Sequence, residues 1–415
     1  MFDYIEEILS TLKKNKLRAV MTGFSVAWGI FMLIILLGSG NGLQNGMEFN
    51  FRNIAKNAIQ IWPGRTSENF EGLGKGRSVQ FTNEDYDLMK RELSGIDDIS
   101  GRLYLWSDVA ITFEKQYANY TVTCVMPEFI NIRLMDIVKG RFINHMDIKE
   151  NRKVIVLSQT IVDMLFKETE PLGEYVKVGG IYFQVVGVLS NPTDKNSKDA
   201  ILPLSTGQRV FNGANRLSNL ALTTTSTTVE ANKQIEEEIR GFLAKRHRFS
   251  TTDQEAIYVW NTLESFKQAQ GVFAGIRMFV WVIGIMTIIA GIVGVSNIMI
   301  ILVKERTKEI GIRKAIGATP WSVVLLVLSE SLFITAVAGL VGMLFGMGIL
   351  HIASTVLTNV AATNETIRFI FYNPSANFGV AISATVLLVV AGLLAGFIPA
   401  RKAAGIKPIE ALHDE

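Results

Sequence analysis

A chain of 415 residues is long enough for two or three domains with sizeable cores, which excludes a small scaffold that depends on staples. Hydrophobic residues make up 49% and charged residues only 19%, against roughly 25% charged in an average soluble protein, so part of the chain belongs in lipid. With 41 basic and 38 acidic residues, a single cysteine and four scattered histidines, a disulfide framework and a clustered Cys/His metal site are excluded, and a nucleic-acid footprint is disfavoured.

In chain order, Phe2, Ile5, Ile8, Leu9 and Leu12 share one helical face while Asp3, Glu6, Glu7, Lys13 and Lys14 lie elsewhere. That pattern predicts a cytoplasmic amphipathic helix over 1–17, resting on the inner leaflet before the chain turns in near Asn15. Residues 18–47 follow as the first membrane helix, with no charged residue from Ala19 to Met47. Its apolar run to Leu37 exceeds the roughly 7–15 residues of a signal-peptide core and no A-x-A site follows, so it reads as a retained anchor.

Residues 48–277 read as an α+β region outside the cytoplasm. Val176–Val178 and Ile181–Val188 flank Gly179-Gly180, a hairpin signal. Val109, Ile111 and Phe113 alternate with polar residues, and Lys153–Leu157 is a β-branched run. Helices are expected where Ile161, Val162, Leu165 and Phe166, and later Ile235, Ile239, Phe242 and Leu243, repeat at helical spacing. No repeat unit of a solenoid is visible.

From Thr262 to Val303 no proline occurs. If helical throughout, this stretch spans about 60 Å, twice the roughly 30 Å hydrocarbon core, so the second membrane helix (278–303) is expected to continue outward as a stalk. The alternative is a separate surface helix joined by a break near Gly271 or Gly275. Membrane helices three and four are placed at 320–350 and 378–400, joined by a short outer loop over 351–377 and followed by a tail over 401–415. Gly342 with Gly346, and Gly392 with Gly396, are G-x-x-x-G pairs that permit close helix approach, within one chain or between two. Glu330 falls well inside the third span, where a charge is costly unless paired or protonated, and is expected to face the bundle.

Basic residues fix the orientation. Lys13, Lys14, Lys16 and Arg18 precede the first span, Lys304, Arg306, Lys308, Arg313 and Lys314 follow the second, and Arg401, Lys402 and Lys407 follow the fourth, whereas 351–377 carries only Arg368 as a full positive charge. Both termini are therefore expected in the cytoplasm, with residues 48–277 outside.

No G-x-x-x-x-G-K-[ST] occurs, and Gly72-Leu73-Gly74-Lys75-Gly76 has the wrong spacing for a phosphate cradle and reads as a mobile surface loop. These residues should not hydrolyse ATP. The informative segment is 304–319. Glu309 and Arg313 form an i,i+4 pair of favourable polarity, Gly317 suits a helix C′ position, and Thr319-Pro320 suits the N-cap and first turn of the next span. A short, independently capped cytoplasmic helix results, with Ile310, Ile312 and Ile316 as apolar surface. Headgroups and a partner protein are both compatible with that periodicity.

The run E-R-T-K-E-I-G-I-R-K-A-I-G-A from Glu305 to Ala318, preceded by Ser296-Asn297-Ile298-Met299, resembles the signature of permease subunits in the MacB and FtsX superfamily of ABC transporters. The segment from Pro399 to Leu412 and the entry Asn15-Lys-Leu-Arg-Ala-Val20 are similar to the same family, and so, in order, are Ile61–Gly64, Gly140-Arg141, Phe183–Val188 and Ile201–Thr206.

The resemblance implies a four-helix permease of the bacterial inner membrane with a large periplasmic domain between helices one and two, and an FtsX-like permease region over 278–412. It implies a dimer, with itself or a related permease, bound to two copies of a cytoplasmic ABC ATPase. ATP and Mg²⁺ would be held by that ATPase and no cofactor by this chain, and the expectation is that the ATPase is a separate polypeptide. Glu305–Ala318 would be the coupling helix. Arg306, Glu309, Arg313 and Lys314 would make its polar contacts and Ile310 and Ile316 its apolar anchors, with Glu305, Gly311 and Gly317 completing the set. The outer region would divide into a porter-like part, about 58–112 and 219–260, and an inserted part. A periplasmic adaptor and an outer-membrane channel are further expected partners. Efflux of a periplasmic substrate by mechanotransmission is the leading expectation, with lipoprotein release or regulation of an envelope enzyme as alternatives in the same class. A ligand-sensing receptor subunit is the alternative from another class, and a neighbouring kinase gene in place of an ATPase gene would favour it.

Overall fold

The computed structural model describes residues 16–167, 169–190, 199–363, 371–374 and 378–407. The surface helix expected over 1–17 lies outside them, except that residues 16 and 17 already belong to the first long helix, α1 (Lys16–Phe51). The chain divides into two compact units, 48–269 and 1–47 with 270–415.

In the unit 48–269 the described strands form one ten-stranded sheet. They are β1 (Ala58–Pro63), β2 (Ile96–Phe113), β3 (Gln116–Val125), β4 (Asp136–Gly140), β5 (Val154–Ser158), β6 (Tyr175–Val178), β7 (Ile181–Ser190), β8 (Ala200–Pro203), β9 (Asn219–Thr224) and β10 (Ile257–Asn261), in the order β10-β1-β9-β2-β3-β8-β5-β7-β4. Because β6 pairs with both β7 and β2, the strands β2, β3, β8, β5, β7 and β6 close into a ring. Period-two alternation then sends Ile111, Val122, Leu157, Val178 and Phe183 into one buried core. The open arm β10-β1-β9-β2 is drawn from both ends of the unit, and β3 to β8 come from the residues between.

The Gly179-Gly180 turn has both residues at positive φ, +55° and +92°. This is the conformation a tight two-residue hairpin requires and that glycine adopts without strain. The two helical-spacing patterns are also realised, as α5 (Gln159–Leu165) and α7 (Val229–His247), alongside α2 (Asn83–Glu92), α3 (Phe129–Ile132), α4 (His145–Lys149) and α6 (Leu204–Val210). The Gly72–Gly76 segment is an exposed loop, closed by reciprocal hydrogen bonds between Phe70 and Leu73 and by Gly76 N–H donating to the Thr66 carbonyl at 2.6 Å.

Asp85 ties α2 to the end of α7. Wholly buried, its carboxylate accepts from the Thr82 backbone N–H at 2.8 Å, from Arg246 Nε at 2.5 Å and, at 3.2 Å, lies against His247 Nε2. Cys124 is also wholly buried, and desolvation pushes its thiol up to about 12. Since the thiolate is the reactive form, a maleimide is expected to leave Cys124 unmodified in the native chain and to label it fully in denaturant. Labelling of the native chain at the denatured rate would show that β3 is open to solvent.

The other unit contains most of α8 (Thr262–Glu305) and of α1, together with α9 (Thr307–Ala315), α10 (Pro320–Thr363) and α11 (Phe378–Ala404). Among the described residues three helices are long and apolar enough to cross a membrane: Gly23–Phe49, Thr262–Glu305 and Pro320–Val360. Helix α8 is continuous through Gly271 and Gly275, about 66 Å at 1.5 Å per residue, and shows no break there. Helix α10 does not end at residue 350 but runs to Thr363, since 351–363 holds neither glycine nor proline to stop it. Helices α1 and α11 likewise extend past the expected bounds, to Phe51 and Ala404.

Small residues set how these helices meet. A Cβ at Gly342 would collide with the Ala27 carbonyl oxygen, one at Gly346 would press on Ile34 and Phe31, and one at Gly38 on Leu350. Contacts therefore advance together along α1 and α10, so the two run parallel. Gly284 meets Leu33, Gly29 meets Thr287 and Gly291 meets Val26, which makes α8 antiparallel to α1. Gly392 and Gly396 face Thr335 and Ser331, and Ser331 donates to the Gly392 carbonyl at 3.1 Å, which makes α11 antiparallel to α10. Both G-x-x-x-G pairs are thus used in packing within the chain.

Candidate functional site

The junction between α8 and α10 is where the sequence placed the coupling helix, and its bounds are narrower than expected. Arg306, at φ −100° and ψ 10°, leaves helical geometry and separates α8 from α9. Glu305 therefore belongs to α8, not to the junction helix. At the other end Ile316 is the C-cap and Gly317, at φ +108°, occupies the C′ position that favours glycine. Thr319 Oγ1 then accepts from Ser322 N–H at 3.3 Å, and Pro320 opens α10.

Eight of the nine candidate residues separate into two groups, and the ninth, Arg306, is half-buried at the corner between them. Turned inward is Ile310, which is 5% exposed and packs in one cluster with Met299, Val303, Val323, Val327, Ala400 and Ala403. Gly311 beside it is also buried. Ile310, expected to anchor a partner, is here buried inside the chain by apolar surface from α10 and α11. Lys314 is likewise turned to its own chain, donating to the Ala404 and Ile406 carbonyls at 2.8 and 2.7 Å.

Turned outward are Glu305, Glu309, Ile316 and Gly317, with Arg313 half-buried. Ile316 is 82% exposed and Ile312 is 43% exposed. Trp321 joins them at 68% exposed; its place in the first turn of an apolar span hid it among residues expected to meet lipid. Ile312, Ile316 and Trp321 are thus all exposed in the corner segment, as are Lys304 and Lys308.

Charges connect the corner to the bundle. Arg306 Nε lies 3.0 Å from Glu309 Oε2, and Glu309 Oε1 lies 3.2 Å from Arg313 Nη2, realising the expected i,i+4 pair. Arg306 Nη1 also lies 3.4 Å from Glu330 Oε2. Glu330 is 2% exposed and faces the bundle as expected. The ion pair with Arg306 comes from the α8–α9 corner, which linear spacing could not reveal.

Residues 19–241 match the MacB-like periplasmic core domain, and residues 281–408 match the FtsX-like permease C-terminal domain. The chain belongs to the MacB/FtsX-type family of ABC transporter permeases. Among curated relatives of the family, it is 27% identical over 428 residues to the macrolide export ATP-binding/permease protein MacB of Bdellovibrio bacteriovorus, covering 100% of this chain and 62% of that protein. The protein of the same description from Wolinella succinogenes is 28% identical over 425 residues, with 100% and 61% covered. The chain thus spans about three fifths of the length of these relatives. Among solved structures of the family, the periplasmic region of MacB from Actinobacillus actinomycetemcomitans aligns with 54% of this chain and 96% of its own, at 19% identity and a TM-score of 0.44.

Proposed function

We propose that this chain is the membrane-embedded half of an ABC transporter, driven by a cytoplasmic ABC ATPase that docks on the α8–α9–α10 corner. The observation that carries the reading is the outer face of α9. It exposes Ile312, and Ile316 just past its end and Trp321 in the first turn of α10 are exposed too, with Glu305, Lys308, Glu309 and Arg313 as the charged residues of the same segment, while Ile310 on the other side of α9 is packed into the bundle. An apolar centre within a charged rim is the composition of a protein interface, and membership of a permease family supplies the kind of partner.

In this reading α1, α8, α10 and α11 are the four spans. Their alternating directions and the basic residues at the ends expected in the cytoplasm support a periplasmic place for residues 48–269. Two copies of the chain and two of the ATPase make the working unit. The ATPase supplies ATP and Mg²⁺; within these residues no Walker motif competes for that role. The movement so produced passes along α1 and the 44-residue α8 to the periplasmic domain, which expels periplasmic material, with a periplasmic adaptor and an outer-membrane channel completing the route.

The test is co-purification in nanodiscs with each ABC ATPase of the source genome. Ile316→Asp and Trp321→Asp are expected to reduce complex recovery at least about tenfold, the size of effect when an interface anchor is lost, while native yield is kept. Arg401→Ala, outside the corner, is expected to leave it unchanged. Equal recovery of wild type and both aspartate variants would remove the corner as the docking site, and the absence of any wild-type complex would remove the reading itself.

A further inference from the structure

The docking face of α9 can transmit force only if α9 is fixed to the spans, and two contacts at its opposite ends do this. At the start, Arg306 stands at the one non-helical residue between α8 and α9 and reaches Glu330, more than two turns into α10, at 3.4 Å while also holding Glu309 at 3.0 Å. At the finish, Lys314 donates to the Ala404 and Ile406 carbonyls at 2.8 and 2.7 Å, the last acceptors of α11 and the turn after it. Free carbonyls at a helix end favour a cation both by hydrogen bonding and through the helix dipole. Between these points Ile310 is buried against Val323, Val327, Ala400 and Ala403.

We infer that Glu330, with Arg306, and Lys314 are positioning residues that clamp α9 at two points, to α10 at its start and to α11 at its end. A load on α9 is then delivered to α10 and α11 as well as to the continuous backbone of α8. The clamp also gives a role to the carboxylate that stands within an otherwise apolar segment of α10. Paired to the corner it fixes one orientation, whereas an apolar side chain there would pack equally well in several. This inference rests on the reading of α9 as the docking helix for its purpose, but its geometry is testable without any ATPase.

Spin labels on Lys308→Cys and Ile352→Cys, both exposed positions on α9 and α10, in a Cys124→Ala background in nanodiscs, report the α9–α10 distance by double electron–electron resonance. A second pair, Leu340→Cys with Val390→Cys, reports α10 against α11 away from the corner. Lys314→Met and Glu330→Leu are each expected to widen the first distribution at least about twofold, as a helix freed at one end samples more orientations, and to leave the second unchanged. Lys314→Arg, which keeps a cation and donors at the same carbonyls, is expected to restore the wild-type width. Wild-type width for Lys314→Met and Glu330→Leu, or equal widening of both label pairs, would overturn the clamp. If Glu330→Leu does not fold, the Lys314→Met and Lys314→Arg pair decides alone by the same criteria. Failure of this experiment with intact ATPase docking discards the clamp and keeps the docking site.

Discussion

Replacing Gly342 with leucine is expected to prevent α1 and α10 from packing, and to cost far more than substitution of a glycine on α10 that faces open space. A Cβ at this position would collide with the carbonyl oxygen of Ala27, which is backbone and cannot rotate away. Gly342→Ala is therefore expected to destabilise by about 1–3 kcal/mol, the usual range for overpacking, and the leucine variant by more. In lipid, helices associate through close packing without a hydrophobic drive, so the lost approach has no substitute. Gly348, on the same helix with nothing within 4 Å of an added Cβ, is the control, and Gly348→Ala should be neutral or slightly stabilising, because alanine favours helix over glycine. Thermal unfolding in nanodiscs checks the ranking. Equal melting temperatures for Gly342→Leu and Gly348→Ala would mean that α1 and α10 do not meet at Ala27.

In the other unit the largest expected effect is at Asp85. Its carboxylate is desolvated by burial, which opposes ionisation, but the hydrogen bonds from His247, the Thr82 backbone and Arg246 outweigh this and hold it at about 2. The folded value lies below the ordinary 3.8, so the unfolded chain takes up this proton first. The stabilisation is thus fully present above about pH 4 and is lost as pH falls through about 2, and amounts to about 2 kcal/mol by linkage. Asp85→Asn removes the charge at every pH and leaves Arg246 facing a neutral amide, so a loss of about 3 kcal/mol is expected at pH 7. Hydrogen exchange in peptides from α2 and α7, wild type against variant at matched pH, should show a gap at pH 7 that closes toward pH 2. A gap of constant size over that range would assign the effect to packing and not to charge.

The elements themselves were largely legible. Helix α8 follows from forty-four residues without proline, the β6–β7 hairpin from Gly179-Gly180, and α9 from Glu309, Arg313, Gly317 and Thr319-Pro320. Each is a local matter, decided within one or two turns by backbone freedom, capping and spacing. The bounds were less legible where no stop residue stands, as in α10 beyond residue 350. Membership of the permease family was visible too, because the motif from Glu305 to Ala318 is contiguous.

What the junction residues face was not legible. Ile310 and Ile316 are both isoleucines on one amphipathic helix, and periodicity treats them alike; yet one is buried among Val323, Val327 and Ala400 while the other is 82% exposed. Lys314 and Arg306 were expected to make polar contacts with a partner, whereas α11 delivers two carbonyls to one and α10 a buried carboxylate to the other. By itself the sequence determined which segments are helix, strand or membrane-length span, since those depend on neighbours along the chain. Only the tertiary structure decided which faces remain free for a partner, because burial depends on segments ninety residues apart in the chain, such as Lys314 and Ala404, being brought together.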